Sequence, residues 1–177
     1  MIFSYRNSAF RDVITGLYNK AYFLEVFQRE WQRQLREQQS LSLLLIDPHL
    51  PHTPQAQQKL LLNKLARLLE DSTYRATDIV SRIDPMLFTL CLFNLNESGT
   101  ETVLNRLFAM LEQLQISQSE ENGTPVNIAI GALNVLPSPG IEIDSLFAEL
   151  QRLTNAAEQK GQNQFELERL SIHAMRH

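Results

Sequence analysis

The chain has 177 residues, of which 44% are hydrophobic and 20% are charged, so it predicts one soluble globular domain with a sizeable core. A net charge of −4 argues against a general nucleic-acid-binding protein, because such proteins usually carry a basic excess or stripe. The single cysteine excludes an internal disulfide, and no apolar run is long enough for a membrane span, so we expect a cytoplasmic protein.

The spacing of apolar residues and breakers predicts alternating helices and strands. In the first half of the chain these are a turn-rich entry at 12–19, a helix at 20–38, a buried strand at 41–47 and a helix at 55–70. Two strands follow at 78–83 and 86–93, across a tight turn at Asp84-Pro85. In the second half they are a helix at 100–114, a loop at 115–125, a strand at 126–135, a helix at 144–159, a turn at 160–163 and an edge strand at 165–168. This order predicts an α/β (α+β) fold with helices packed on a mixed sheet.

Four motifs occur along the chain in a fixed order. The entry Asp12-Val-Ile-Thr-Gly-Leu-Tyr-Asn-Lys20 is followed by Phe23, and the strand Leu43–Asp47 ends in an acid. Ala129-Ile-Gly131 and Gly161-Gln-Asn163 come later in the chain. Together they resemble GGDEF domains, which make cyclic di-GMP from two GTP and carry D-x-L-T-G-L-x-N-R-x-x-F, S-I-G and G-R-N at these places.

The resemblance identifies residues 11–168 as a degenerate GGDEF (diguanylate cyclase-like) domain. A lead or linker stump at 1–10 and a C-terminal tail at 169–177 would flank it. The implied fold is that of nucleotidyl cyclases, a central mixed, mainly antiparallel five-stranded sheet flanked by helices. In the family this domain usually follows a sensor module, so the resemblance also implies an adjacent sensor or effector domain.

The stretch that corresponds to the family's signature has lost its catalytic letters. The five signature positions are Asp84, Pro85, Met86, Leu87 and Phe88. The acidic pair of the signature corresponds to Met86 and Leu87, which offer no oxygen ligand to the metal ions that would neutralise GTP phosphates. Of the implied metal-binding carboxylates only Asp47 remains. We therefore expect no catalytic residue, no metal, no Mg-GTP and no cyclase activity.

Further changes weaken the same chemistry. Pro85 has a fixed φ and no N–H where a glycine would let the backbone approach the triphosphate. Glu158 and Gln162 take the places of a lysine and an arginine that would attract phosphate. The guanine-reading segment F-K-x-x-N-D is replaced by the shorter Leu50-Pro-His-Thr-Pro54.

The regulatory part of the resemblance is retained. Arg75 and Asp78 form the RxxD pair of the family's product-binding inhibitory site, and Arg106 falls at the position of its third residue. A guanidinium can donate to guanine O6 and N7 or clasp a phosphate, and a carboxylate can accept from the guanine N1–H. The resemblance therefore implies a cyclic di-GMP receptor, with a ligand-linked homodimer as an option.

Structural alternatives stay open for each of these residues. Asp78 could cap the turn into its strand, Arg75 could pair with Asp71, and Arg106 could be an amphipathic side chain at a helix edge. The domain would then be a nucleotide-independent interaction or scaffold module. A GTP-binding pseudo-enzyme is a third hypothesis.

Two other features have simpler interpretations. The segment Asp47-Pro-His49-Leu-Pro-His52 could in principle bind a transition metal, but this spacing is weak evidence in a loop with two prolines, and exposed loop histidines are the preferred interpretation. Cys91 stands among apolar neighbours, which indicates an inert thiol in the core.

Overall fold

The structure is a computed structural model that describes residues 9–50, 55–73, 75, 78–122 and 127–170, with the backbone alone described for 114–122. Most of the predicted lead (1–10) and of the predicted tail (169–177) lies outside the described residues. His52 and the two prolines at 51 and 54 also lie outside them. Within the described ranges, no helix has both the length and the apolar character needed to cross a membrane.

The described helices and strands follow the predicted order, with one additional strand at the entry. They are β1 (Tyr18–Asn19), α1 (Lys20–Glu37), β2 (Leu41–Asp47), α2 (Gln55–Asp71), β3 (Ile79–Asp84), β4 (Leu87–Phe93), α3 (Glu97–Asn122), β5 (Ala129–Val135), α4 (Ile143–Gln159) and β6 (Gln164–Leu170).

The strands form one sheet in the order β1-β3-β4-β2-β5-β6. The three inner pairings are antiparallel, whereas β1 pairs with β3 and β6 pairs with β5 in parallel. The mixed, mainly antiparallel sheet is therefore confirmed, but it has six strands where five were predicted. The additional strand has two residues, which is too short for an alternating pattern to indicate it.

Strand β2 lies at the centre and is buried on both faces of the sheet. Because successive side chains of a strand point to opposite faces, Leu44 packs in one hydrophobic core and Leu43 in the other. The first core contains α2 and α3, for example through Leu65. The second contains α1 and α4, for example through Phe27 and Leu150. The domain is thus a three-layer sandwich.

Local sequence explains the start and the end of α1. The side chain of Asn19 accepts a hydrogen bond from the Tyr22 N–H at 3.0 Å, which caps the helix. Phe23, Phe27 and Trp31 then recur at a spacing of one helical turn and form the buried face. The helix ends where Gln38 takes a left-handed conformation with φ of 55°.

Several predicted boundaries were wrong. Helix α3 continues to Asn122, so residues 115–122 are helical and do not belong to the predicted loop at 115–125. Residues 115–122 lack apolar periodicity, but adding a residue to an existing helix costs little, and the stretch includes the good helix formers Gln and Glu.

The bounds of the hairpin and of the last strand also differ from the prediction. Asp84 is the last residue of β3, so Pro85 and Met86 are the two turn residues. Strand β6 extends over Gln164–Leu170, because its pairing with β5 supplies hydrogen bonds along this whole length.

Candidate functional site

A small cavity lies where β4 ends beside α3. Its volume is about 130 Å³, and Arg75, Asp78 and Arg106 all line it, with Leu92 and Val103 among its apolar neighbours. The three residues of the predicted inhibitory-type site come from two segments: Arg75 and Asp78 from the connection between α2 and β3, and Arg106 from α3. The structure brings all three together.

Arg75 binds the end of strand β4. Its Nη1 donates hydrogen bonds to the carbonyl oxygens of Phe93 at 2.6 Å and Asn94 at 3.3 Å. Among the described residues these bonds, rather than the alternative pairing with Asp71, hold its guanidinium. The guanidinium therefore lies at the rim of the cavity, against backbone oxygens.

Asp78 contacts the same residue of β4 as Arg75. Its Oδ1 accepts from the Phe93 N–H at 3.3 Å, so the carboxylate bonds to the neighbouring strand. It also interacts with the backbone of Arg75 in its own turn, which agrees with the capping alternative. Burial raises the pKa of Asp78 above its ordinary value, and the Phe93 N–H and the nearby charge of Arg75 offset this only in part. The ionised carboxylate is therefore incompletely solvated, and additional hydrogen-bond donors would stabilise it.

Arg106 joins α3 to the end of α2. Its Nη2 donates to the Ser72 carbonyl oxygen at 2.6 Å. This bond places a second guanidinium on the cavity, so two positive charges and one carboxylate share a small space with an apolar wall.

The turn at the degenerate signature is held by Arg82. Its Nε and Nη2 donate to the Pro85 carbonyl oxygen at 3.1 and 2.7 Å, while its Nη1 donates to both carboxylate oxygens of Asp12 at 3.1 and 3.0 Å. Burial raises the pKa of Asp12, but hydrogen bonds from Thr15 and Arg82 outweigh it and leave that pKa below its ordinary value. Sequence reasoning missed this link, which the β1–β3 pairing creates.

The signature side chains themselves present little chemistry. Asp84 and Pro85 are exposed, Met86 and Leu87 are partly buried, and Phe88 is fully buried in the core. Asp84 uses Oδ1 to accept from the Met86 N–H at 3.3 Å, as turn residues often do.

The metal ions implied by the resemblance do not fit the residues present. The acidic-pair positions hold Met86 and Leu87, and Asp47 faces His49 instead of a second carboxylate from the hairpin. The described part of the chain contains no group of three or more His, Cys, Asp or Glu side chains that could hold a metal ion. His52, which belongs to the loop segment considered for a transition metal, lies outside the described residues.

Cys91 lies fully buried in β4. Burial raises the pKa of its thiol well above the ordinary value, so the thiolate is disfavoured. The prediction of a core thiol is confirmed.

The family model described as diguanylate cyclase, GGDEF domain, matches residues 9–50 and 56–164. A search of curated protein sequences gave no match.

Several solved structures share the fold. Pseudomonas aeruginosa diguanylate cyclase SiaD, solved with its activator SiaC, is 20% identical with a TM-score of 0.79, covering 96% of this chain and 65% of that chain. The coiled coil and GGDEF domain of Caulobacter crescentus DgcB, solved with c-di-GMP, is 14% identical with a TM-score of 0.79. The match covers 94% of this chain and 90% of that chain. Vibrio cholerae LapD S helix-GGDEF-EAL, bound to c-di-GMP, is 15% identical with a TM-score of 0.74. The match covers 95% of this chain and 39% of that chain.

These likenesses show the fold. The chain spans less than two thirds of the SiaD chain and well under half of the LapD chain that it matches.

Proposed function

Because the chain belongs to the GGDEF domain family, we propose that it is a catalytically inactive member that binds cyclic di-GMP through Arg75, Asp78 and Arg106. The observation that carries this proposal is the convergence of these three side chains on one cavity. The c-di-GMP bound in the structures of DgcB and LapD supports it, because their folds are similar. The proposed setting is the cytoplasm, beside a sensor or effector domain.

The charges of the site suit this ligand. Two guanidinium groups would balance the two phosphodiester charges of cyclic di-GMP, and each can also donate to the guanine edge. Asp78 would accept from the guanine N1–H and exocyclic amine. These donors would stabilise its ionised form and compensate for the desolvation that raises its pKa.

The size of the cavity indicates how the ligand would bind. Its 130 Å³ is below the roughly 300–1,000 Å³ of pockets that enclose drug-sized ligands. Cyclic di-GMP would therefore lie largely on the surface, with Arg75 turning away from the Phe93 and Asn94 carbonyls to meet it. A surface-bound ligand could be shared with a second copy of the domain.

The proposed lack of cyclase activity follows from the former catalytic edge. Met86 and Leu87 supply no metal ligand, exposed Asp84 would repel a phosphate, and Arg82 holds the turn through Pro85 and Asp12. Glu158 adds another negative charge where the resemblance implies a lysine.

Isothermal titration calorimetry with cyclic di-GMP tests the binding site. We expect saturable binding at micromolar ligand to the wild type, and a loss of at least about tenfold in affinity in Arg75→Ala and Arg106→Ala, since charged hydrogen bonds would be removed. The matched control is Arg33→Ala, which truncates an exposed arginine of α1 and should leave affinity unchanged. No binding to the wild type, or equal affinity in Arg75→Ala, would refute the proposal.

The scaffold function remains the second candidate. The favouring observation is that Arg75 and Arg106 both donate to backbone carbonyls and so help join β4, α2 and α3. If the two alanine variants lose stability and the wild type binds no nucleotide, this function is the better one. Thermal stabilisation by Mg-GTP would instead favour the pseudo-enzyme hypothesis.

A further inference from the structure

Two side chains from different parts of the fold bind the backbone where β4 passes into α3. Arg75, which lines the cavity, donates to the carbonyl oxygens of Phe93 and Asn94. Asn134, which belongs to β5, donates through Nδ2 to the carbonyl oxygen of the next residue, Leu95, at 2.7 Å. Three successive carbonyl oxygens of this connection therefore depend on Arg75 and Asn134.

Asn134 also reaches the last residue of the connection, through two hydroxyl groups. Its Nδ2 donates to Ser42 Oγ at 2.9 Å, and Ser42 Oγ lies 2.5 Å from Thr100 Oγ1. Thr100 Oγ1 donates to the Asn96 carbonyl oxygen at 2.7 Å. Because a hydroxyl has one hydrogen and Thr100 uses its hydrogen there, Ser42 is the donor to Thr100. The chain of donors thus runs in one direction, from Asn134 to Asn96.

The burial of Asn134 indicates that these bonds specify it. The residue is 3% exposed, and the other residues of β5 are apolar. A buried amide costs free energy unless its hydrogen bonds are made, and Nδ2 also lies 3.3 Å from the Leu41 carbonyl oxygen. Ser40 Oγ donates to the Leu95 carbonyl oxygen too, at 2.8 Å, so that oxygen keeps one donor if the amide is removed.

The connection forms part of the proposed binding site. Phe93 and Leu95 line the cavity, and α3, which begins directly after the connection, contributes Val103 and Arg106. The Phe93 N–H also donates to the carboxylate of Asp78. The path of the connection therefore sets the distance between Arg106 and Asp78.

We propose that Asn134 is a positioning residue of the cyclic di-GMP site, an inference that rests on the proposed function. When Arg75 turns away from its two carbonyl acceptors to meet the ligand, the connection loses the hydrogen bonds from the cavity. The bonds of Asn134 remain, and together with that of Ser40 they keep α3 and Arg106 in place. Asn134 therefore stabilises the bound state more than the free state.

Isothermal titration calorimetry with cyclic di-GMP tests this inference in Asn134→Leu, which has a side chain of similar size without a donor. We expect about fivefold weaker binding than in the wild type, as for the net loss of one hydrogen bond. The matched control is Thr89→Val, which removes another buried hydrogen bond of the sheet, from Thr89 Oγ1 to the Leu44 carbonyl oxygen at 2.8 Å. This control should leave the affinity unchanged.

Amide hydrogen exchange, followed by NMR, separates positioning from general stability. The Leu95 N–H bonds to the Ser40 carbonyl oxygen and the Thr100 N–H bonds to that of Asn96, so both amides report on the connection. The ratio of their exchange rates with and without cyclic di-GMP should be higher in Asn134→Leu than in the wild type. A role in general stability alone would leave this ratio unchanged.

A second variant covers the case in which Asn134→Leu does not fold. Thr100→Val interrupts the chain of donors before Asn96 and is measured in the same way. We expect about threefold weaker binding of cyclic di-GMP, because the Leu95 carbonyl oxygen keeps both of its donors.

The possible failures are distinct. Wild-type affinity in the folded variant, an equal loss in Thr89→Val, or an unchanged exchange ratio would each overturn the positioning role and leave the cyclic di-GMP site standing. Absence of binding to the wild type would overturn the proposed function, and the positioning role with it.

Discussion

Among single residues, Asp78 combines a structural cost with a proposed binding role. Its pKa is raised, so the folded state holds the proton more tightly than the unfolded state. The free energy of unfolding therefore falls as pH rises from 3.8 toward the folded pKa, and it stays lower above that. At neutral pH Asp78 is therefore ionised, and this ionisation lowers the free energy of unfolding.

We expect Asp78→Asn to be at least as stable as the wild type at neutral pH, because the amide can still accept from the Phe93 N–H without a desolvated charge. Its advantage should vanish at pH below about 4, where Asp78 is protonated. Thermal unfolding across pH measures both effects. Calorimetry should show weaker cyclic di-GMP binding, and a variant that is clearly less stable at neutral pH would contradict this account.

The Arg82–Asp12 pair has the opposite effect on the pH dependence of stability. The pKa of Asp12 is lowered, so its contribution to stability is present above its ordinary value of 3.8 and is lost as pH falls through the lower folded pKa. The Arg82 side chain is 9% exposed and that of Asp12 is 20% exposed, so water screens the pair weakly.

Arg82→Met should lower the free energy of unfolding by about 2 kcal/mol at neutral pH, because hydrogen bonds to a charged group are lost. The difference from the wild type should narrow as Asp12 becomes protonated below pH 3.8. Urea unfolding at several pH values measures it. Arg33→Met, at an exposed ion pair of α1, should change stability far less.

At the level of elements, the packing of β5 against α4 depends on Gly131. A Cβ at this position would lie 2.6 Å from the Leu150 carbonyl oxygen and 2.6 Å from the Thr154 nitrogen. Both are backbone atoms of a helix, which cannot move aside as a side chain can. The glycine therefore sets the distance between the sheet and α4.

Gly131→Ala should reduce the free energy of unfolding by roughly 3 kcal/mol through overpacking. The control is Gly99→Ala in α3, where the nearest atoms belong to the flexible Leu95 and Asn96 side chains. Chemical unfolding of the two variants compares them directly. Equal stability of the two alanine variants would show that α4 moves away from β5 at little cost.

For the whole molecule, the proposed inactivity should resist repair of the signature alone. The variant Asp84→Gly, Pro85→Gly, Met86→Asp and Leu87→Glu restores the family's letters. We expect it to form no cyclic di-GMP from Mg-GTP, because Glu158 and Gln162 still disfavour phosphate and His49 still lies against Asp47. Chromatography of the nucleotide products, with an active diguanylate cyclase as the positive control, decides this, and product from the repaired variant would contradict it.

The assembly state provides another whole-molecule prediction. A ligand bound mainly at the surface can contact a second copy, so cyclic di-GMP should increase the dimer fraction in analytical ultracentrifugation. Arg75→Ala should abolish the increase. Strong binding by calorimetry with no change in sedimentation would separate the receptor function from dimer formation.

Sequence reasoning succeeded where the signal is local and failed where it is not. Helix α1 was predicted from the periodic Phe23, Phe27 and Trp31, and β2 from an unbroken apolar run. The end of α3 was missed because residues 115–122 are polar, and β1 was missed because two residues carry no period. The end of α3 continues an existing helix, and β1 exists because it pairs with β3. An apolar pattern in the sequence shows neither of these.

The sequence by itself determined the family, the two-faced helices and strands, and the absence of oxygen ligands at Met86 and Leu87, because side-chain identity and period suffice for these. Only the tertiary structure decided that Arg75, Asp78 and Arg106 share one cavity and that His49 lies between Asp47 and Glu158. These contacts join segments far apart in the chain. Their distances depend on how the sheet and helices pack, which no local pattern contains.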